Sequence, residues 1–397
     1  MQPDFDPFDP GFVASPHETW ARLRRDRPVA RGARWDFWAL TRYDDVKAVS
    51  ADYGTFTSEH GIVVPSNPVS GRRAPLHFDP PEHPRYRRPL NAALADQRVR
   101  ALEPTIRALV VELLEPMLER GEGEVVRELS SPLTALVFAQ FVQLERDRAI
   151  ELNAHSEAFE RALQELDTET AERENQWLYE ACRQLVRERR AEPLDPADDI
   201  VSALLRLEKD DEFVAGSVRQ LLIAAHVAPT AAIASAVRHL ADDVELQQRL
   251  RDDAALIPAA VEELLRLYTP NQGFARTART QAEIRGCPIE AGEQVALVLT
   301  AANRDPEVFD EPDEFRLDRP ASHLAFGHGP HKCPGAHVAR AELTIVLEEL
   351  LARTSGIEIS GDVGMVPWPL YGPSVLPLRL RRGASGGNRR LPDRMWP

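Results

Sequence analysis

The chain has 397 residues, with 48 Lys and Arg against 63 Asp and Glu, and 43% of it is hydrophobic. That length admits one large domain or two ordinary ones, with a sizeable core. A formal charge of −15 removes the basic surface that non-specific nucleic-acid binding needs, and no apolar run approaches the roughly 18 residues that span a bilayer.

The first residues, Met1 to Asp6, hold neither a basic nor an apolar segment of the signal-peptide kind, which predicts a cytoplasmic protein. Cys182, Cys287 and Cys333 are too few for a disulfide framework, and no CxxC pair suggests zinc.

In chain order the pattern is mostly helical. Residues 17–25 read as a first helix, opened by Ser15 and Pro16. Residues 35–41 alternate like a strand, and 43–50 return to helical spacing. The stretch 58–75, rich in Gly, Pro, Ser and Asn, reads as a long loop of the kind that usually carries function. Helices are predicted over 84–95, 99–120 and 124–141, then a charged pair over 147–190 broken near Asp167 and Thr168. A start signal at 195–199 precedes a helix over 200–207, and 217–242 is apolar around most of its circumference, as a buried central helix would be. A helix over 258–267, strand-like runs at 283–284 and 294–299, a proline-rich meander over 305–320 and a helix over 336–353 follow. The polar tail 383–397 reads as loose. The economical reading is one domain, mainly α with small β-sheets.

The strongest signal is Phe326-Gly327-His328-Gly329-Pro330-His331-Lys332-Cys333-Pro334-Gly335. Its glycines permit tight turns and close approach to something flat. The cysteine stands immediately before a helix, whose N-terminus favours thiolate over thiol. A lone cysteine in a loop is ordinarily a small buried hydrophobe. The surrounding Phe-x-x-Gly-x-x-x-Cys-x-Gly, however, resembles the heme-binding loop of the cytochrome P450 family at every fixed position. The resemblance implies that Cys333 is the axial ligand of heme b, that Phe326 shields the thiolate, that Gly327 and Gly335 shape the loop, and that His331 meets a heme propionate. It also implies a triangular-prism domain over 1–382, with heme between the central helix and the cysteine-loop helix. A thiolate ligand favours O–O cleavage in heme chemistry.

Further stretches fit the same family. Glu263 and Arg266 share a helix face and resemble its Glu-x-x-Arg motif, with Arg319 as third member of a structural charge triad. The segment 79–88 resembles the start of a proximal helix, where His83 and Arg87 would point the same way. Arg276 lies ten residues before Gly286, the family spacing of a propionate arginine, whereas its rival Arg279 has the wrong offset. Two propionates need cationic or donor partners, and His83, Arg87, Arg276 and His331 supply four. Residues 302–309 also resemble a structural stretch of bacterial members, so the resemblance runs from about residue 8 to residue 380.

The central helix departs from the pattern. Family members usually carry Ala-Gly-x-(Asp/Glu)-Thr there, the acid and alcohol relaying protons to iron-bound dioxygen. Here the oxygen-activation region contains Ala225, His226, Ala228, Pro229 and Thr230; Val227 replaces the acid and Ala228 the alcohol. Pro229 lacks an N–H, which would leave the carbonyl of Ala225 free. Protons would then come through water, from the substrate, or from His226 or Thr230.

By the same resemblance Val63, Val64, Asn67, Asn271, Gln272, Phe274 and Tyr371 belong to the substrate pocket. Asn271 and Gln272 suit a substrate with polar groups, such as a peptide or other natural product. No flavin or dinucleotide fingerprint is present, so electrons would come from ferredoxin and ferredoxin reductase, with Arg85, Arg88 and Lys332 as docking candidates. The implied activity is a monooxygenase oxidising a small organic molecule in natural-product biosynthesis. The alternatives are oxidative coupling of aromatic or peptide groups, peroxide-driven oxidation, or a heme protein that is not an oxygenase.

Overall fold

A 32-residue helix, Asp211–Asp242, runs through the computed structural model, which describes residues 4–64, 73–320 and 322–383. Asp210 starts it, its carboxylate accepting the N–H groups of Glu212 and Phe213 and so satisfying two donors that a helix start leaves open. Val218, Leu222, Ile233, Ala234 and Val237 bury its circumference, and it continues unbroken through Pro229. By length and hydropathy it could cross a membrane, contrary to the expectation that no such stretch exists. Half of its apolar window is buried inside this protein, against helices Ser131–Val142, Arg146–Gln164, Thr168–Ala191 and Ala336–Arg353.

Most other helices stand within a few residues of their predicted places: Pro16–Asp26, Tyr43–Ala51, His83–Ala93, Asp96–Arg120, Ile200–Leu207 and Ile257–Leu267. At the predicted break Asp167 caps the second of the charged pair by accepting the N–H of Thr170.

The stretch 124–141 is not one helix. Glu122–Glu124 is a strand, Val126–Ser130 a π-helical turn, and only then does Ser131–Val142 begin. The strand exists because Pro377–Arg382 pairs with it, Leu378 opposite Gly123, and no local pattern registers a partner so far along the chain. Thr354–Ile359 completes that three-stranded sheet. Helix Val244–Asp252, capped by Asp243, was also not anticipated.

The largest sheet has the order Val29–Arg31, Phe37–Leu40, Gln294–Val298, Gly273–Ala278, Phe56–Thr57. Only the pairing of Phe37–Leu40 with Gln294–Val298 is parallel. Ala282–Ile284 and Cys287–Ile289 form a hairpin whose turn residues Arg285 and Gly286 both take positive φ, 49° and 78°, as a two-residue turn that follows strand twist requires. The main core lies between the central helix and helices Asp96–Arg120, Ser131–Val142 and Ala336–Arg353. Separate apolar clusters pack against the large sheet. Gly383 donates its N–H to the carbonyl of Arg353; residues 384–397, the rest of the predicted tail, lie outside the described residues.

Candidate active site

The cysteine loop is built by backbone geometry. Gly327 and Gly329 both take φ of 70°, and a Cβ on Gly329 would stand 2.6 Å from the carbonyl oxygen of Ser50. Only glycine lets the loop lie this close to helix Tyr43–Ala51. The N–H of Cys333 closes the loop on the carbonyl of Phe326 at 2.8 Å, and helix Ala336–Arg353 starts with Gly335 as its cap.

Cys333 is exposed to a cavity of about 1180 Å³, above the ~300–1,000 Å³ of an ordinary ligand pocket. Burial in the protein pushes its thiol up, while the N–H of Gly335 and the charges of Arg87 and Arg340 pull the other way. A metal cation at the sulfur reverses that balance, because a coordinating thiol is deprotonated. The guanidinium of Arg340 lies 4.5 Å from the ring centre of Phe326 and pairs with Glu262 at 2.5 Å, fixing the ring beside the cysteine.

Along the central helix, Ala225, Val227, Ala228 and Pro229 line the same cavity. Neither Val227 nor Ala228 can carry a proton. His226 and Thr230 do not line it: each is two residues from Ala228, roughly 200° around a helix. Their side chains meet Thr134 instead, at 2.9 Å for His226 Nδ1 and 3.1 Å for Thr230 Oγ1. Burial pushes His226 down to about 4, so at neutral pH it is an uncharged partner one hydrogen bond removed from the cavity through Thr134, which does line it.

The expected pocket residues divide. Val63, Val64, Asn271 and Phe274 line the cavity; the carbonyl of Val64 is held by the Trp368 indole at 2.7 Å. Gln272 does not, because its amide is committed to the carbonyl of Leu370 at 2.7 Å and to the Trp20 indole at 3.1 Å. Tyr371 also lies off the wall, parallel to Tyr268 with ring centres 6.3 Å apart and edge-on to His17. Asn67 lies outside the described residues.

Of the four expected propionate partners, Arg87 and His331 line the cavity, as do Phe326 and Gly335, whereas His83, Arg276 and Gly327 do not. Arg87 is aimed by Asn91 at 2.8 Å and by the carbonyl of Lys332. The ring of His83 packs on His331 with centres 4.6 Å apart, and its Nε2 is buried without a partner among the described residues. Burial pushes His83 down to about 4, helped by the charges of His331 and Arg87. Arg276 donates to the carbonyl of Ala275 at 2.7 Å, and burial lowers it to about 10. Arg279 differs, being taken up by Glu59 and Asp79 at 3.2 and 3.0 Å.

Sequence reasoning missed Asp79. Its carboxylate accepts from Thr57 Oγ1 at 2.5 Å, Ser58 Oγ at 2.9 Å and Arg279 at 3.0 Å, and meets His331 Nε2 at 3.1 Å. It was visible only as the opening of the Asp79-Pro80-Pro81 segment.

Below the site, Glu263 and Arg266 form a buried two-point pair at 2.7 and 2.8 Å, and Arg319 joins it at 2.9 Å. Arg266 also donates to the carbonyls of Asn303 and Pro312 at 2.8 and 2.6 Å, which ties the meander to helix Ile257–Leu267. A thiol on a large apolar cavity, with an unpartnered imidazole nitrogen and guanidinium donors close by, fits a flat iron porphyrin bearing two carboxylates.

The cytochrome P450 family model matches residues 124–357. Cytochrome P450 109 of Bacillus spizizenii is 30% identical over 92% of this chain and 92% of its own. Nocardicin C N-oxygenase of Nocardia uniformis is 33% identical over 91% of this chain and 94% of its own. Among solved structures, cytochrome P450 CYP109Q5 from Chondromyces apiculatus superposes with a TM-score of 0.85 at 31% identity, covering 96% of this chain and 99% of that one. With the cysteine loop, the cavity above it and relatives matching almost end to end, this chain belongs to the cytochrome P450 family and is a heme b monooxygenase.

Proposed function

We propose that Cys333 is the thiolate ligand of the heme iron and that the enzyme oxidises a small, mainly apolar natural product. Electrons would come from a separate ferredoxin and its reductase. The observation that carries this reading is the exposure of Cys333 to the same cavity as the small-residue face Ala224, Ala225 and Ala228 of the central helix. When bound, the heme supplies the activation of dioxygen and the transfer of one oxygen atom to the substrate.

The residues of the chain do the rest. The N–H of Gly335 and the charges of Arg87 and Arg340 hold negative charge at the Cys333 sulfur. His331, oriented by Asp79, and Arg87 face the cavity as donors for carboxylates, with Arg276 and His83 adding positive charge or a further donor nearby. Val63, Val64 and Phe274 offer apolar contact, excluding water from a small hydrophobic substrate. The name of the nocardicin relative supports a natural-product substrate. Because Val227 and Ala228 line the wall without a proton-carrying group, the proton comes through water or from the substrate itself.

The reduced protein treated with carbon monoxide tests this. The expected result is a red-shifted Soret band in the wild type that is lost in Cys333→Ser with porphyrin still bound. An unshifted band in the wild type would refute the ligand assignment. A second reading, peroxide-driven or coupling chemistry, is favoured by Val227 and Ala228 alone. Turnover with hydrogen peroxide as rapid as with dioxygen and a surrogate ferredoxin would establish the peroxide route, and a coupled product carrying no new oxygen atom the coupling one.

A further inference from the structure

Arg219 stands on the central helix and on the cavity wall. It is 0% exposed, and Nε and both terminal nitrogens have no hydrogen-bond partner among the described residues. Two rings face it, Phe159 with its centre 4.8 Å from the guanidinium carbon and Tyr179 at 5.1 Å. Rings attract a cation but satisfy none of its five in-plane donors. A buried charge without a hydrogen-bonded counterpart is costly, so an arginine here, between Val218 and Gln220, calls for an occupant that completes it.

The surroundings specify a negative one. Arg73 lies on the same wall and donates to Gln220 Oε1 at 2.8 Å, adding a second positive charge. Glu160, on helix Arg146–Gln164, is the carboxyl whose charge is felt at Arg219. Glu160 lines the same wall but forms no hydrogen bond with Arg219 among the described residues, and burial lifts its carboxyl to about 7 against the pull of the Arg219 charge. Burial and the charge of Arg73 lower Arg219 only to about 10, so it remains a cation at neutral pH. Arg219 precedes Ala228 by nine positions, roughly 13 Å along a helix axis, and Ile223, Ala224 and Val227 line the cavity between them.

We propose that Arg219, whose donors are closed off between Phe159 and Tyr179 in the unliganded chain, turns into the cavity to anchor a carboxylate of the substrate, so that an amphipathic acid lies along the central helix with its head at Arg219 and its apolar body reaching towards Cys333. This deepens the proposed function and rests on it. The arginine is a specificity-determining residue set roughly one substrate length from the oxidation site.

The test is Soret titration of the ferric holoenzyme with alkanoates and arylalkanoates against their methyl esters, alongside thermal melting of the same proteins. The acids are expected to bind about ten- to a hundredfold more tightly than the esters, the range for hydrogen bonds to a charged group. Arg219→Met should abolish that preference and Arg219→Lys restore part of it. Without ligand, Arg219→Met should melt at or above the wild-type temperature, because an unpaired buried charge has been removed. Equal binding of acids and esters by the wild type, or a preference that survives in Arg219→Met, overturns the proposal. So does a lower melting temperature of Arg219→Met with the preference unchanged, which would make the residue a structural cation. Imidazole, which needs only the iron, separates the two readings. A response to imidazole but to no acid overturns the anchor and leaves the heme assignment standing, whereas no response to imidazole overturns both.

Discussion

Asp79 and His331 are 252 positions apart in the chain, yet Oδ1 of one meets Nε2 of the other at 3.1 Å. The contact joins the entrance of helix His83–Ala93 to the cysteine loop. It fixes the imidazole on the cavity wall.

Replacing Asp79 tests how much rests on that contact. Burial alone would raise its carboxyl, but hydrogen bonds from His331, Thr57 and Ser58 outweigh it and hold the group well below the usual carboxylate range. A depressed carboxylate stabilises the fold above its unfolded pKa, and that contribution disappears as pH falls through the folded value. Asp79→Asn is therefore expected to cost about 2–4 kcal/mol at pH 7. The gap from wild type should shrink steadily below about pH 4, as read by denaturant unfolding at several pH values.

Glu342 should behave in the opposite sense. It is buried on the cysteine helix, its Oε2 has no partner among the described residues, and burial pushes its carboxyl up to about 8. A carboxyl raised on folding contributes most below its unfolded pKa, and the contribution is lost as pH rises through the folded one. Relative to Glu342→Gln, the wild type should lose melting temperature from about pH 5 to pH 8 and stay level beyond. A difference that does not vary with pH would refute the titration.

The Glu263–Arg266 pair is 3% and 2% exposed. Removing one partner strands a buried charge, and Glu263→Gln should cost about 3–5 kcal/mol. Because Arg266 and Arg319 hold the meander below the cysteine loop, heme content on purification should fall together with the urea midpoint.

His226→Leu separates packing from proton delivery. The imidazole is bound to Thr134 and faces away from Ala228, so product formed per electron consumed should stay within about twofold of wild type. Stability should still fall by about 1–3 kcal/mol as Thr134 loses a buried partner. A collapse in coupling without a loss of stability would assign His226 a part in the chemistry.

The cysteine loop, the long central helix and the Glu263–Arg266 pair were legible because each is written in adjacent or helix-spaced residues, whereas Arg319 was legible only through the family resemblance of its stretch. What escaped depended on distant partners. Glu122–Glu124 is a strand only because Pro377–Arg382 lies beside it. Gln272 looked like a pocket donor beside Asn271, but its amide is spent on Trp20 and Leu370. The direction of His226 was readable from helical phase, two residues from Ala228. Arg219 was readable too, as an arginine in an apolar run, but its lack of a partner appears only once the neighbouring helices are in place.

The parallel pairing of Phe37–Leu40 with Gln294–Val298 bears on how the chain is made. At roughly 5–20 residues per second, the earlier strand is synthesised about 13–50 s before its neighbour. Phe37, Trp38 and Leu40, all buried in the finished sheet, spend that interval covered only by N-terminal partners such as Val29–Arg31 and Phe5. Nascent chains halted before residue 298 should therefore be more prone to proteolysis in this segment than the released protein.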